Sequence, residues 1–243
     1  MSSKYLIEHE FNYVQTEPPK YDAFSAQWGI VVSPPCVRQI MQYSFEQFDP
    51  LTKSFEFRVD HLIDPYCIGF YYHKTDYHHE LAMHKANSRK ALKECEVLVL
   101  TVGVAEVWRD KRDKAVFARV PHALTDNHEF YVLRWDDATY ELDNAICILK
   151  RYNPKVKIIL SLSPIPLMAT FRHDVDVVTA NGYSKAVLRA AIDEVVRANT
   201  DVYYFPSYEF VINGVGKFSE DNRHPTPETV NLVMEFFMEL FVK

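Results

Sequence analysis

The chain has 243 residues, 48% of them hydrophobic and 14% aromatic, enough for one domain (residues 1–243) that buries its own core. Acidic side chains number 33 against 27 basic, a formal charge of -6, and no basic stripe could neutralise a run of phosphates, so nucleic acid is excluded as the expected partner. No stretch approaches the ~20 apolar residues of a membrane span. The opening Met-Ser-Ser-Lys-Tyr-Leu-Ile-Glu lacks the apolar core of a signal peptide, so the chain reads as cytoplasmic, with no membrane partner.

Residues 1–76 are irregular in pattern, rich in Tyr, Phe, Pro and His, and only short elements are expected there. From about Tyr77 to the end, amphipathic helices alternate with short, nearly all-apolar strands. That alternation predicts an α/β fold, a three-layer α/β/α sandwich around a mostly parallel sheet. Val97 to Val102 is too short for a buried helix and stops at Gly103, so it reads as an interior strand followed by a turn. Leu142, Ala145, Ile146, Leu149 and Tyr152 fall at helical spacing, and Asn153-Pro154 ends that helix. Val156 to Leu162 and Val202 to Phe205 read as further strands. An apolar stripe beyond Asn181 (Val187, Leu188, Ala191, Ile192, Val195, Val196) and another from Val230 to Phe241 read as helices packed on the sheet.

An open parallel sheet binds ligands beyond the carboxyl ends of its strands. Four segments then matter: Gly103 to Glu106, Ser163 to Pro166, Phe205 to Glu209, and the late loop Asp221 to Pro225. Asp221 and His224, three residues apart before a helix, can supply an orienting carboxylate and an imidazole base to one site. The same spacing also suits a surface pair, or an Asp that caps the following turn. Glu106 and Glu209 each follow a strand closely. Burial could raise their pKa, or they could pair with Lys185 or Arg189.

Five ordered blocks resemble the GSCFA family, whose fold is similar to that of the SGNH/GDSL hydrolases. They are Leu100 to Trp108 (LTVGVAEVW), Ser163 to Phe171 (SPIPLMATF), Asn181 to Ala191 (NGYSKAVLRAA), Tyr204 to Glu209 (YFPSYE) and Glu220 to Pro225 (EDNRHP). The resemblance implies a serine esterase or acyltransferase, acting on a small-molecule ester or an acyl group carried on a saccharide. In it His224 is the general base, Asp221 its partner, and Gly103 the glycine of the turn that helps form the oxyanion hole. It also brings Asn181 and Ser184 near the pocket.

Two departures from the family pattern stand out. SGNH enzymes carry an Asn two residues after the oxyanion glycine, whereas this chain has Ala105, which has no side-chain donor. The family takes its name from a Gly-Ser-Cys-Phe-Ala motif that holds the nucleophile, and no Gly-Ser-Cys occurs here. Phe11 to Pro18 resembles the stretch after the family's first helix and Phe24 to Gly29 the next turn, so the first strand and its Ser are expected to be missing. Either Met1 is an internal start or the segment has been lost. Ser2, Ser3 and Ser25 lack the strained strand-end turn a nucleophile needs. Ser163 sits at a strand end, but Pro164 after it points to a rigid turn.

Two functions stay open: an esterase or acyltransferase inactive without its nucleophile, or a non-catalytic domain that keeps the pocket for a glycan or a partner protein. No cofactor or metal is implied. His79 and His84 are five apart, not i, i+4, and Cys36, Cys67, Cys95 and Cys147 have no paired spacing, so they read as reduced, mostly buried thiols. Trp28, Trp108 and Trp135 read as core or pocket wall.

Overall fold

A computed structural model describes residues 2–17, 25–29, 31–67 and 71–242. Pro18 and Phe24, the outer residues of two family-like stretches, and the side chains of Ser2 and Ser3 lie outside what is described. The chain opens with α1 (Ser2–Glu8) and α2 (Pro34–Ser44), then a small antiparallel sheet of β1 (Phe55–Phe57), β2 (His61–Ile63) and β3 (Tyr71–His73). Helix α3 (Tyr77–Glu94) leads into β4 (Val97–Val102). Next come β5 (Glu106–Asp110), β6 (Val116–Phe117) and β7 (His128–Val132), an antiparallel sheet ordered β6-β5-β7. The rest is α4 (Trp135–Tyr152), β8 (Lys157–Leu162), α5 (Val177–Ala198), β9 (Val202–Phe205), α6 (Ser207–Phe210) running into a π turn at Val211–Val215, and α7 (Pro227–Phe241).

The fold is mixed α/β. Strands β4, β8 and β9 pair in parallel in the order β4-β8-β9, with Val97 opposite Lys157 and Ile158 opposite Val202. The other two sheets among the described residues are antiparallel, so the expectation of a mostly parallel sheet holds for this one alone. Alternation along its strands divides the core. Leu98, Val102, Ile158, Leu160, Leu162 and Val202 join Leu142, Ile146 and Leu149 of α4 and Leu188, Ile192 and Val195 of α5. Ile159 and Phe205 point the other way, into a cluster with Met234 and Phe237 of α7, against which Tyr5 and Leu6 of α1 pack. Each fully buried Leu or Ile contributes about 1.5–3 kcal/mol over an exposed one, so these two clusters fix the sheet between its helices.

Strand β4 matches its sequence-read bounds, but among the described strands it stands at the edge of its sheet and not inside it. No described strand pairs with β4 on the side away from β8, and one face of the strand is also open, with Val97 48% and Val99 37% exposed. The C=O groups of Glu96 and Val102 accept from β8 or its flanks, while the Gly103 N–H turns the opposite way to Val32. A residue's N–H and C=O point to the same side of a strand, so the backbone groups of Val97, Val99 and Thr101 face this open edge.

Helix α5 also begins earlier than its apolar stripe suggests. Asp176 caps it, its side chain accepting from the N–H groups of Val178 (2.8 Å) and Thr179 (3.0 Å), and this puts Asn181 in the second turn of the helix. None of the helices among the described residues is long and apolar enough to cross a membrane.

Candidate functional site

The carboxyl ends of β4 and β8 come together at Gly103 and Ser163. The Ser163 N–H donates to the Val102 carbonyl at 2.7 Å, and a Cβ added to Gly103 would lie 2.8 Å from the Ser163 Cβ, so only glycine fits this crossing without displacement. The Gly103 and Val104 N–H groups both donate to the Val32 carbonyl, at 2.8 and 3.1 Å. As folded, the turn therefore directs those amides into the structure, and Ala105 adds no side-chain donor. Ser163 is half-buried, and its Oγ accepts from the Ile165 N–H at 3.2 Å, a local turn of the kind that Pro164 suggests.

Helix α5 brackets both strand exits from one face. Asn181 Oδ1 accepts from the Leu167 N–H at 3.1 Å, and the buried Ser184 Oγ accepts from the Ala105 N–H at 3.4 Å. One residue beyond Ser184, Lys185, only 3% exposed, donates from Nζ to the carbonyls of Gly103 (2.9 Å) and Ile165 (2.8 Å). Burial holds its ammonium down at about 8 from the usual 10.5. Lys185 was legible only as a possible partner for Glu106 or Glu209. The missed signal was its position three residues before Leu188 and seven before Ile192, on the buried stripe of α5.

The late loop is tightly built. Asp221 Oδ1 accepts from the N–H groups of Arg223 and His224, both at 3.0 Å, and Oδ2 meets Nδ1 of His224. Asn222 takes a φ of 53°, a left-handed turn residue, and the Ser219 N–H closes the loop on the His224 carbonyl at 2.8 Å. The His224 ring hydrogen bond comes first, and the two backbone N–H groups next, among the causes that hold the Asp221 carboxyl well below the usual carboxylate range. A carboxylate on Nδ1 keeps the proton there and leaves Nε2 as the basic nitrogen of the neutral ring. Both side chains are about half exposed, at 45% and 51%. Arg223 anchors the loop to the exit of β8, donating from Nη2 and Nε to the Pro166 carbonyl at 3.2 and 3.4 Å. Thr226 then caps α7, accepting from the Thr229 N–H at 3.3 Å.

The two glutamates have partners other than a shared pocket. Glu106 opens β5 and accepts from Thr170 Oγ1 at 2.7 and 2.9 Å, pairing with neither Lys185 nor Arg189. Glu209 on α6 accepts from Arg189 Nε (2.8 Å) and the Tyr204 hydroxyl (2.6 Å), which fits the pairing reading. A buried hydroxyl pair was not legible in the sequence: Ser207 Oγ lies 2.6 Å from Ser161 Oγ and donates to the Leu162 carbonyl at 3.1 Å.

Other features lie apart. A cavity of about 280 Å³ is lined by α2, α4 and the β5 sheet, and none of Gly103, Ser163, Lys185 or His224 borders it. Of its charged lining residues, Arg38 pairs with Glu141 and Arg109 with Glu129 beyond the lining. His84 is fully buried against Glu17, with Nδ1 2.9 Å from Oε2. Cys36 and Cys67 are buried, Cys95 is half-buried and Cys147 exposed, all four free. Among the described residues no group of three His, Cys, Asp or Glu side chains could hold a metal ion. A model of the GSCFA family matches residues 3–237. No match to the chain is found among curated proteins.

Proposed function

The chain belongs to the GSCFA family, and from that premise we propose that it is the acid–base half of a serine esterase or acyltransferase site on an SGNH-like, three-layer α/β/α sandwich. His224 acts as general base through Nε2, and Asp221 fixes its tautomer and orientation. The substrate is a small-molecule ester, with an acylated saccharide the class we favour. The observation that carries this reading is the Arg223–Pro166 contact, which ties the Asp221/His224 loop to the strand exit where Gly103 and Ser163 meet.

The hydroxyl nucleophile belongs on a further parallel strand. No described strand pairs with β4 on the side away from β8, and a strand added there in parallel would bring its carboxyl end towards Gly103. Attack by such a hydroxyl forms an acyl ester and releases the alcohol, with His224 taking the hydroxyl proton and passing it to the leaving oxygen.

A second reading is favoured by the Gly103 turn. With the Gly103 and Val104 amides committed to Val32, and Ala105 where a donor side chain is usual, the turn itself offers an oxyanion neither of those amides nor a side-chain donor. A non-catalytic glycan- or protein-binding domain would need none.

Labelling with a fluorophosphonate probe separates the two. The enzyme reading expects no labelling of this chain alone, and serine labelling once a Gly-Ser-Cys-Phe-Ala strand segment is fused ahead of Ser2. A fused, folded protein that stays unlabelled would favour the binding domain.

A further inference from the structure

We propose that Lys185 is the anion-recognising residue of this site, its buried ammonium serving as counter-ion to a carboxylate or phosphate group of the ligand. The inference rests on the reading that the ligand binds at the carboxyl ends of β4 and β8.

The argument is one of elimination. Lys185 is almost wholly buried, and both of its hydrogen bonds go to neutral carbonyls, those of Gly103 and Ile165. A buried charge is ordinarily paired. Among the described residues none of the charged groups on the surrounding segments bonds Lys185, although the side chains of Glu106 and Arg223, like that of Lys185, bond only neutral groups. Glu106, beyond the Gly103 turn, is held by Thr170, and Arg189, one turn along α5, pairs with Glu209. On the late loop Asp221 pairs with His224, and Arg223 is spent on the Pro166 carbonyl. Between Ser163 and Phe171 there is no ionisable acid or base at all. Desolvation is accordingly the one influence that moves the Lys185 titration, with no acid to offset it.

The donor count points the same way. A neutral amine has two N–H groups, enough for the two carbonyls, so the bracket between β4 and β8 does not require the third proton. An ammonium keeps that proton and a full positive charge at the strand ends. There a ligand anion gains from a low-dielectric setting, and its binding and the protonation of Lys185 reinforce each other.

The test is a pH titration of the protein labelled with 13Cε-lysine, the Lys185 signal being assigned by its loss in Lys185→Met. It is run with acetate, with inorganic phosphate, and with acetamide as the neutral control, while the His224 ring signals are followed alongside. The inference expects acetate or phosphate, whichever matches the ligand group, to raise the Lys185 midpoint by about one pH unit. Acetamide should leave it in place, and Lys185→Arg should keep anion-induced shifts at Ile165 and Leu167 that Lys185→Met loses. If the anions leave the Lys185 midpoint unchanged, or move every lysine equally, the inference is overturned. Should they perturb His224 without Lys185, or neither residue, this inference fails while the proposed function, tested by probe labelling, stands. If Lys185→Met does not fold, loss of the signal in Lys185→Arg gives the same assignment and the wild-type titration still decides.

Discussion

Arg223 reaches the carbonyl of Pro166, Nη2 to O 3.2 Å, and so joins two segments that are 57 residues apart in sequence. That contact holds the Asp221/His224 loop at the exit of β8. Arg223→Ala should release it. Hydrogen exchange at residues 219–226 is expected to speed up, while global stability changes by less than about 1 kcal/mol, as for loss of a single solvated hydrogen-bonding group. Unchanged exchange in this loop would mean that its own turn bonds suffice.

Gly103 is tested by adding one carbon. In Gly103→Ala the new Cβ would meet the Ser163 Cβ at 2.8 Å, so the two strand exits must part. Denaturant unfolding should show a loss of about 1–3 kcal/mol, with chemical-shift changes concentrated from Ser163 to Leu167. A variant of wild-type stability would show that the crossing has slack.

Lys185 predicts an unusual pH profile. Its folded value, about 8, lies below the ordinary 10.5, so between these pH values the unfolded chain binds a proton that the native state does not. Stability therefore rises with pH through that window, by an amount on the order of 3 kcal/mol from this residue, and is lost again as pH falls through 8. Lys185→Met should lose this rise. At pH 7 its net stability should change little, because removing a buried charge offsets the two carbonyls left without a donor. Parallel pH profiles for the two proteins would contradict the assignment.

The open edge of β4 predicts alternating protection. The amides of Leu98, Leu100 and Val102 face β8 and should exchange slowly, and those of Val97, Val99 and Thr101 quickly. A fused strand that pairs there should slow the second set. Uniformly slow exchange in the unfused chain would mean that the edge is already covered.

The apolar run at Val97–Val102 sets the bounds of β4 from sequence, since six apolar-rich residues ending at Gly103 leave little else to form. Whether the strand is interior or at an edge is not in that run, because both faces read alike and only pairing partners distinguish them. Strand β5 was hidden for the opposite reason. Glu106, Arg109 and Asp110 give it a polar surface, and the pairings that make a strand of it, Arg109 opposite Glu129 of β7 and Trp108 opposite Phe117 of β6, are contacts in space. The first turn of α5 was obscured by Val177, Val178 and Thr179, β-branched residues that are weak helix formers and depend on the Asp176 cap. Of the site, the Asp221–His224 contact was foreseeable at three-residue spacing. Lys185 was not, because its neighbours are backbone carbonyls supplied by two other elements.

The central claim is that His224 does base chemistry at the sheet's carboxyl end. It is tested most directly by the rate of acetyl ester hydrolysis in the protein fused to a Gly-Ser-Cys-Phe-Ala strand segment, with and without His224→Ala. The account predicts a fall of about 10²–10⁴-fold in kcat when the imidazole is removed. A folded His224→Ala protein that hydrolyses the ester within twofold of its parent would contradict it.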